Sequence, residues 1–187
     1  MADQKENRWT TEDEDAVLLL AARLPGQGGP NPLSPTHYDQ FARALHSAGY
    51  RPSDLLRADR DTLISSLDGV KDDILSRVSV LLDRGGALAL AKVDWKQAGV
   101  WCLTRGSPSY PQRLRTRLKK NMPPVLFGVG DVSLFSKGGV AIVGSRDVDA
   151  PGREFARELG TRLAAKGAGG YFGWSKGCGQ RGDDGGA

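Results

Sequence analysis

The sequence predicts an α/β chain in two parts, an all-helical first half followed by a parallel sheet with its helices. Three observations carry that prediction. Apolar residues recur at three- and four-residue steps through the first half, as in Leu63, Leu67, Val70, Ile74, Val78 and Leu81. Short apolar runs, several ended by glycine and followed by a helical stretch, begin after Gly99. Glycine usage then changes, with nine of the 25 glycines falling in residues 167–187. The expected organisation is a helical domain over residues 1–98, an α/β domain over 99–169 and an aberrant glycine-rich tail over 170–187.

Each element has a local reason. Thr11-Glu12-Asp13-Glu14 has capping-box spacing ahead of the run Val17 to Leu20, and Pro25 is expected to end that helix. Gly26 to Pro32 holds no regular element, after which Ser34-Pro35 offers an N-cap and a first-turn proline for a helix through Leu45. Two more helical runs follow. Val100-Trp101-Cys102-Leu103 suits a buried strand, Pro111 to Lys120 a helix, Pro124 to Gly128 a second strand and Val140 to Val143 a third. Phe155, Leu159 and Leu163 repeat every four residues from Pro151 to Lys166, which predicts an amphipathic helix packed on the sheet.

The 187 residues have room for one domain or two small ones, and 26 basic against 22 acidic residues leave a charge of +4. That charge permits nucleic-acid binding without requiring it. Two cysteines and two histidines exclude a disulfide framework, a four-cysteine zinc site and a histidine-rich metal cluster. No metal or cofactor is expected. Met1 to Thr10 is polar, and the apolar run Ala16 to Ala22 is too short to span a bilayer. These features predict a soluble cytoplasmic protein with reduced thiols and no membrane partner.

Gly144-Ser145-Arg146 follows the third strand at the carboxyl edge where open α/β sheets bind ligands. Glycine admits an anion close to the backbone, serine offers a hydroxyl, and arginine a planar fork suited to phosphate. An ordinary strand-to-helix turn explains the three residues equally well, and neither GxGxxG nor a Walker pattern is present. A second candidate is Arg113, Arg115, Arg117, Lys119 and Lys120, five basic residues in eight with no acid. Leu114 and Leu118 would anchor that helix while the cations fan out toward a nucleic-acid backbone, or toward solvent alone. Leu67-Asp68-Gly69-Val70-Lys71 has part of a helix-hairpin-helix turn but carries Lys71 where that motif wants glycine, which favours a plain helical hairpin. His37 and His46 read as ordinary helix residues, and Trp9, Trp95 and Trp101 as core or interface aromatics.

Three ordered segments, Ser109-Tyr110-Pro111-Gln112-Arg113-Leu114, Pro123 to Asp131 and Val140 to Arg146, together resemble the DNA-processing protein A family, also called Smf or DprA. The resemblance is strong over about residues 99 to 169. It implies a Rossmann-like fold there, preceded by a SAM-like or degenerate helix-hairpin-helix domain. It further implies single-stranded DNA binding without sequence preference, homodimers of full-length members, and loading of RecA recombinase onto incoming DNA in natural transformation. The arginine of the family's Gly-Ser-Arg motif contacts DNA phosphates, a role that passes to Arg146, with Gly144 and Ser145 shaping its turn. No catalytic residue passes over, so a competence and DNA recombination factor is expected rather than an enzyme. The competing reading is a nucleotide-phosphate-hydrolysing enzyme of the lysine-decarboxylase-like Rossmann group, whose Pro-Gly-Gly-x-Gly-Thr motif is absent.

The family continues with a strand and a Ser-Gly-Gly-Ala-x-Gly-(Ile/Val)-Asp loop, where this chain reads Gly170 to Arg181. Permitted codons for that stretch, read one base later, spell Val-Ile-Ser-Gly-Gly-Ala-Lys-Gly-Val-Asp. A frame change near Gly169 is therefore expected, which sequencing codons 165 to 175 would test. A truncated, impaired chain with little or no DNA binding of its own is the expectation that follows from it. Its third strand would lack an edge neighbour, and its C-terminal part would be poorly stable.

Overall fold

The computed structural model describes residues 10–25, 29–136, 139–142, 148–167 and 169–172. The chain divides into two compact units, Met1–Gly130 and Asp131–Ala187.

In the first unit, α1 (Glu12–Ala21) begins with the expected capping box: the Glu14 amide donates to the Thr11 hydroxyl over 3.2 Å, and the Thr11 amide donates to the Glu14 carboxylate over 2.9 Å. The helix ends at Ala21, short of Pro25. Tertiary donors take its last carbonyls first: Leu33 donates its amide to Leu20 O over 2.9 Å, and the Arg84 guanidinium reaches Leu19 O and Ala22 O. Helix α2 (Pro35–Ser47) is capped by Ser34, whose hydroxyl accepts from the His37 amide over 3.2 Å. A 3₁₀ turn (Pro52–Leu56), α3 (Arg60–Ser65), α4 (Asp72–Leu82) and α5 (Gly85–Gln97) follow. α5 starts on two glycines, poor helix formers, and is held instead by burial of Leu88 and Ala91 and by the Lys92–Asp15 ion pair at 2.7 Å.

These helices enclose one core in which Leu18, Phe41, Leu55, Ile74, Val78 and Leu81 are buried to 1% exposure or less. Full burial of each such side chain contributes about 1.5–3 kcal/mol. The predicted apolar stripe is there with one gap, since Leu63, Leu67, Ile74, Val78 and Leu81 are buried while Val70 is half-covered.

Strand β1 (Val100–Thr104) and strand β2 (Val125–Val129) flank α6 (Gln112–Leu118) and a 3₁₀ turn (Lys119–Asn121). They pair antiparallel, from Val100 opposite Val129 to Thr104 opposite Val125, which corrects the expectation that all the strands join a parallel sheet. A parallel sheet needs both faces covered, whereas an antiparallel pair settles with one face on helices. Here Cys102 and Val125 pack against the helical core and Phe127 meets the Trp95 ring of α5 at 4.7 Å, while Val129 remains exposed. The chain therefore changes from helix to strand at residue 99, but the compact unit continues to Gly130. Opposite Gly128, Trp101 lays its indole over the strand and donates Nε1–H to Gly130 O over 2.9 Å. A Cβ at Gly128 would stand 2.2 Å from that ring, so the position accepts glycine alone without rearrangement.

The second unit contains a 3₁₀ turn (Val132–Ser136), β3 (Gly139–Ile142), α7 (Ala150–Ala165) and β4 (Gly169–Phe172). β3 and β4 pair in parallel, from Gly139 opposite Gly169 to Ile142 opposite Phe172, with α7 as the crossover. The expectation that the third strand lacks this neighbour is thus corrected, because residues 169–172 form it. Asp149 caps α7 by accepting from the Gly152 amide over 2.9 Å. α7 packs on β4, yet none of its residues is buried; Leu159 and Leu163 are half-covered and Phe155 is 67% exposed, so the expected apolar face is only partly used.

Candidate nucleic-acid interface

The basic run sits on a base assembled from the first two resemblance segments. Tyr110 is 3% exposed and donates its hydroxyl to Pro123 O over 2.7 Å, which ties the Ser109–Leu114 segment to the Pro123–Asp131 segment. Arg115 stacks over the Tyr110 ring at 5.0 Å and donates to Arg105 O at 2.5 Å and Ser107 O at 3.4 Å. Its guanidinium is turned into the fold rather than fanning outward with its neighbours. The expected anchors are also partly replaced: Leu114 is half-buried, Leu118 is 38% exposed, and Tyr110, Pro111 and the Arg115 stack hold the helix instead.

Arg113, Arg117, Lys119 and Lys120 are exposed, and among the described residues none of the four has a hydrogen-bonded or ion-paired side-chain partner. They lie along α6 and past its C-terminal end, the end of a helix where cations are favoured. Lys119 closes the helix by donating its amide to Arg115 O, and does so at φ 50°, the sole non-glycine positive φ among the described residues. Left-handed backbone costs a side-chain-bearing residue about 1–2 kcal/mol, so its neighbours must hold it there.

One residue missed in the sequence supplies much of that hold. Arg105 has an 11% exposed side chain. It donates to Asp39 Oδ1 over 3.1 Å, to Pro35 O over 3.3 Å and to Met122 O, and lies 5.1 Å from the centre of the Tyr38 ring. Its amide donates to Pro124 O over 3.0 Å. Burial pushes the Tyr38 phenol up to about 12, with the Arg105 charge pulling the other way. No local pattern betrays Arg105, because its partners stand 66, 70 and 17 residues away.

The other candidates fall out differently. Gly144, Ser145 and Arg146 lie outside the described residues, as does Trp9. The Leu67–Lys71 turn places Gly69 at φ 74° between α3 and α4, with Asp68, Asp72 and Asp73 about it. Three carboxylates repel phosphate, and the arrangement is a helical hairpin whose Gly69 carbonyl accepts from Gln40 Nε2 over 2.8 Å. Trp95 and Trp101 serve packing, and burial pushes the Cys102 thiol up to about 12, which leaves it unreactive. Among the described residues no cluster of three or more His, Cys, Asp or Glu side chains suits a metal ion, and no helix is long and apolar enough to cross a membrane.

Unpaired cations in succession on a rigid base suit an extended polyanion, whose regularly spaced phosphates meet several of them at once. In the comparison with protein families, residues 101–179 match DNA recombination-mediator protein A. The match bears out the resemblance carried by the three sequence segments, and extends ten residues past Gly169 in the frame given. Neither the comparison with curated proteins nor that with solved structures finds a match.

Proposed function

We propose that the chain is a DNA recombination mediator that binds single-stranded DNA without sequence preference, gripping phosphates through Arg113, Arg117, Lys119 and Lys120. The observation that carries this reading is the set of four exposed cations without acidic partners inside the stretch that matches the family. Gly144, Ser145 and Arg146, which follow the third strand in sequence, supply a second phosphate contact. Arg115 acts from beneath as a support. The role extends to loading RecA recombinase as part of a homodimer in the cytoplasm, with no chemical step at the site. Binding is electrostatic, so its logarithm falls against that of salt with a slope near −0.7 per phosphate contacted on a single strand.

A salt series of gel shifts with unlike single-stranded oligonucleotides tests this. Similar affinities for each sequence and a steep loss with salt are expected, with Arg146→Ala reducing both affinity and slope. Salt-independent binding, or none, would refute the reading.

A further inference from the structure

The chain just past the basic segment is tied down at two carbonyls, Met122 O and Pro123 O, each by a largely buried side chain. Arg105 Nη2 donates to Met122 O and to the Pro35 carbonyl of α2, while Nη1 holds Asp39. Tyr110 donates to Pro123 O over 2.7 Å. Between these ties and α6 stand Lys119, in its left-handed conformation, and Lys120. We propose that Arg105, assisted by Tyr110, is a positioning residue for the DNA-binding surface, and that helix α2 sets the geometry of the cations through it. This inference rests on the reading that those cations meet DNA.

The physical reason is order before binding. Lysine side chains on a loose loop lose backbone freedom when they settle on phosphates, and that loss subtracts from affinity. A segment held beforehand keeps the spacing of its charges and loses less. Arg105 is the group suited to the task because one planar guanidinium reaches a carboxylate and two carbonyls together, which a lysine ammonium on a flexible stem does not reproduce. It lies within the fold and touches no phosphate itself. Removing it should therefore lower affinity without changing the number of phosphates bound.

Salt dependence separates these roles. Fluorescence anisotropy with a labelled oligothymidylate is measured from low to high salt for the full chain, Arg105→Met, Tyr110→Phe and Arg117→Ala, with hydrogen exchange followed at amides 119–122. Arg117→Ala should reduce the slope by about 0.7, the mark of one lost phosphate contact. Arg105→Met should weaken binding about tenfold at an unchanged slope and speed exchange across 119–122. Tyr110→Phe, which deletes a single hydroxyl, should do the same to a smaller extent and carries the test if Arg105→Met does not fold. Wild-type binding that responds to Arg117→Ala but is untouched by Arg105→Met and Tyr110→Phe would overturn the inference alone. So would a slope that falls in Arg105→Met, since it would make that residue a contact. Absence of salt-dependent binding by the wild-type chain would overturn the reading of the cluster and the inference together.

Discussion

Helices α6 and α7 both carry arginine at short intervals, and they spend that charge in opposite ways. On α7, Arg157 pairs with Glu154 at 2.6 Å and Arg162 with Glu158 at 2.7 Å, so most of its cations are neutralised one turn away. On α6 and the turn after it no cation pairs with an acid among the described residues, one arginine is folded inward and four cations face solvent. Their bases differ as well. α6 stands on a buried tyrosine and a buried arginine, whereas α7 has no buried residue. Arginine count alone therefore says little about where a polyanion docks; pairing and anchorage decide it.

The difference is broken most severely by removing the charge. Changing Arg113, Arg117, Lys119 and Lys120 together to alanine should abolish most single-stranded DNA binding and reduce the salt slope by about 3, four contacts at about 0.7 each, as read by anisotropy. Loosening the base should have a smaller effect. Gly128→Ala puts a Cβ 2.2 Å from the Trp101 ring, so the denaturant midpoint should drop by the equivalent of about 1–3 kcal/mol and the near-UV dichroism of tryptophan should change.

Acid should loosen the first unit by a route of its own. Burial alone would raise the Asp13 carboxyl, but hydrogen bonds from Arg51 and Ser53 outweigh it and hold the group below its ordinary 3.8. A lowered value in the folded state means stabilisation that is present above 3.8 and is lost as pH falls through the lower folded value. Melting temperature should therefore fall below about pH 4 in the wild type, and Asp13→Asn should start lower and fall less over the same range. The smallest effect is expected on α7. Glu154→Gln with Glu158→Gln frees two arginines, which should leave the melting temperature unchanged and slightly steepen the salt dependence of binding.

Local chemistry made part of this legible beforehand. The caps at Thr11 and Ser34, the apolar stripe from Leu63 to Leu81 and the strands after Gly99 each follow from neighbouring residues, and each is present. Strand direction was not legible, because pairing β1 with β2 depends on which face the helical core covers. Nor was the end of α1, which is set by Leu33 and Arg84 from elsewhere in the chain. At the candidate site the acid-free basic run was visible in the sequence. The inward turn of Arg115 and the grip of Arg105 were not, since both depend on carbonyls brought close by folding.

Lysine footprinting compares the two helices within one sample. Acetylation rates at Lys119 and Lys120, after α6, and at Lys166, at the end of α7, are measured with and without a single-stranded oligonucleotide at low salt. Strong protection of Lys119 and Lys120, little at Lys166, and recovery of all three rates at high salt are predicted. Unchanged reactivity at Lys119 and Lys120 under conditions where the chain binds the oligonucleotide would contradict the assignment of the interface to α6.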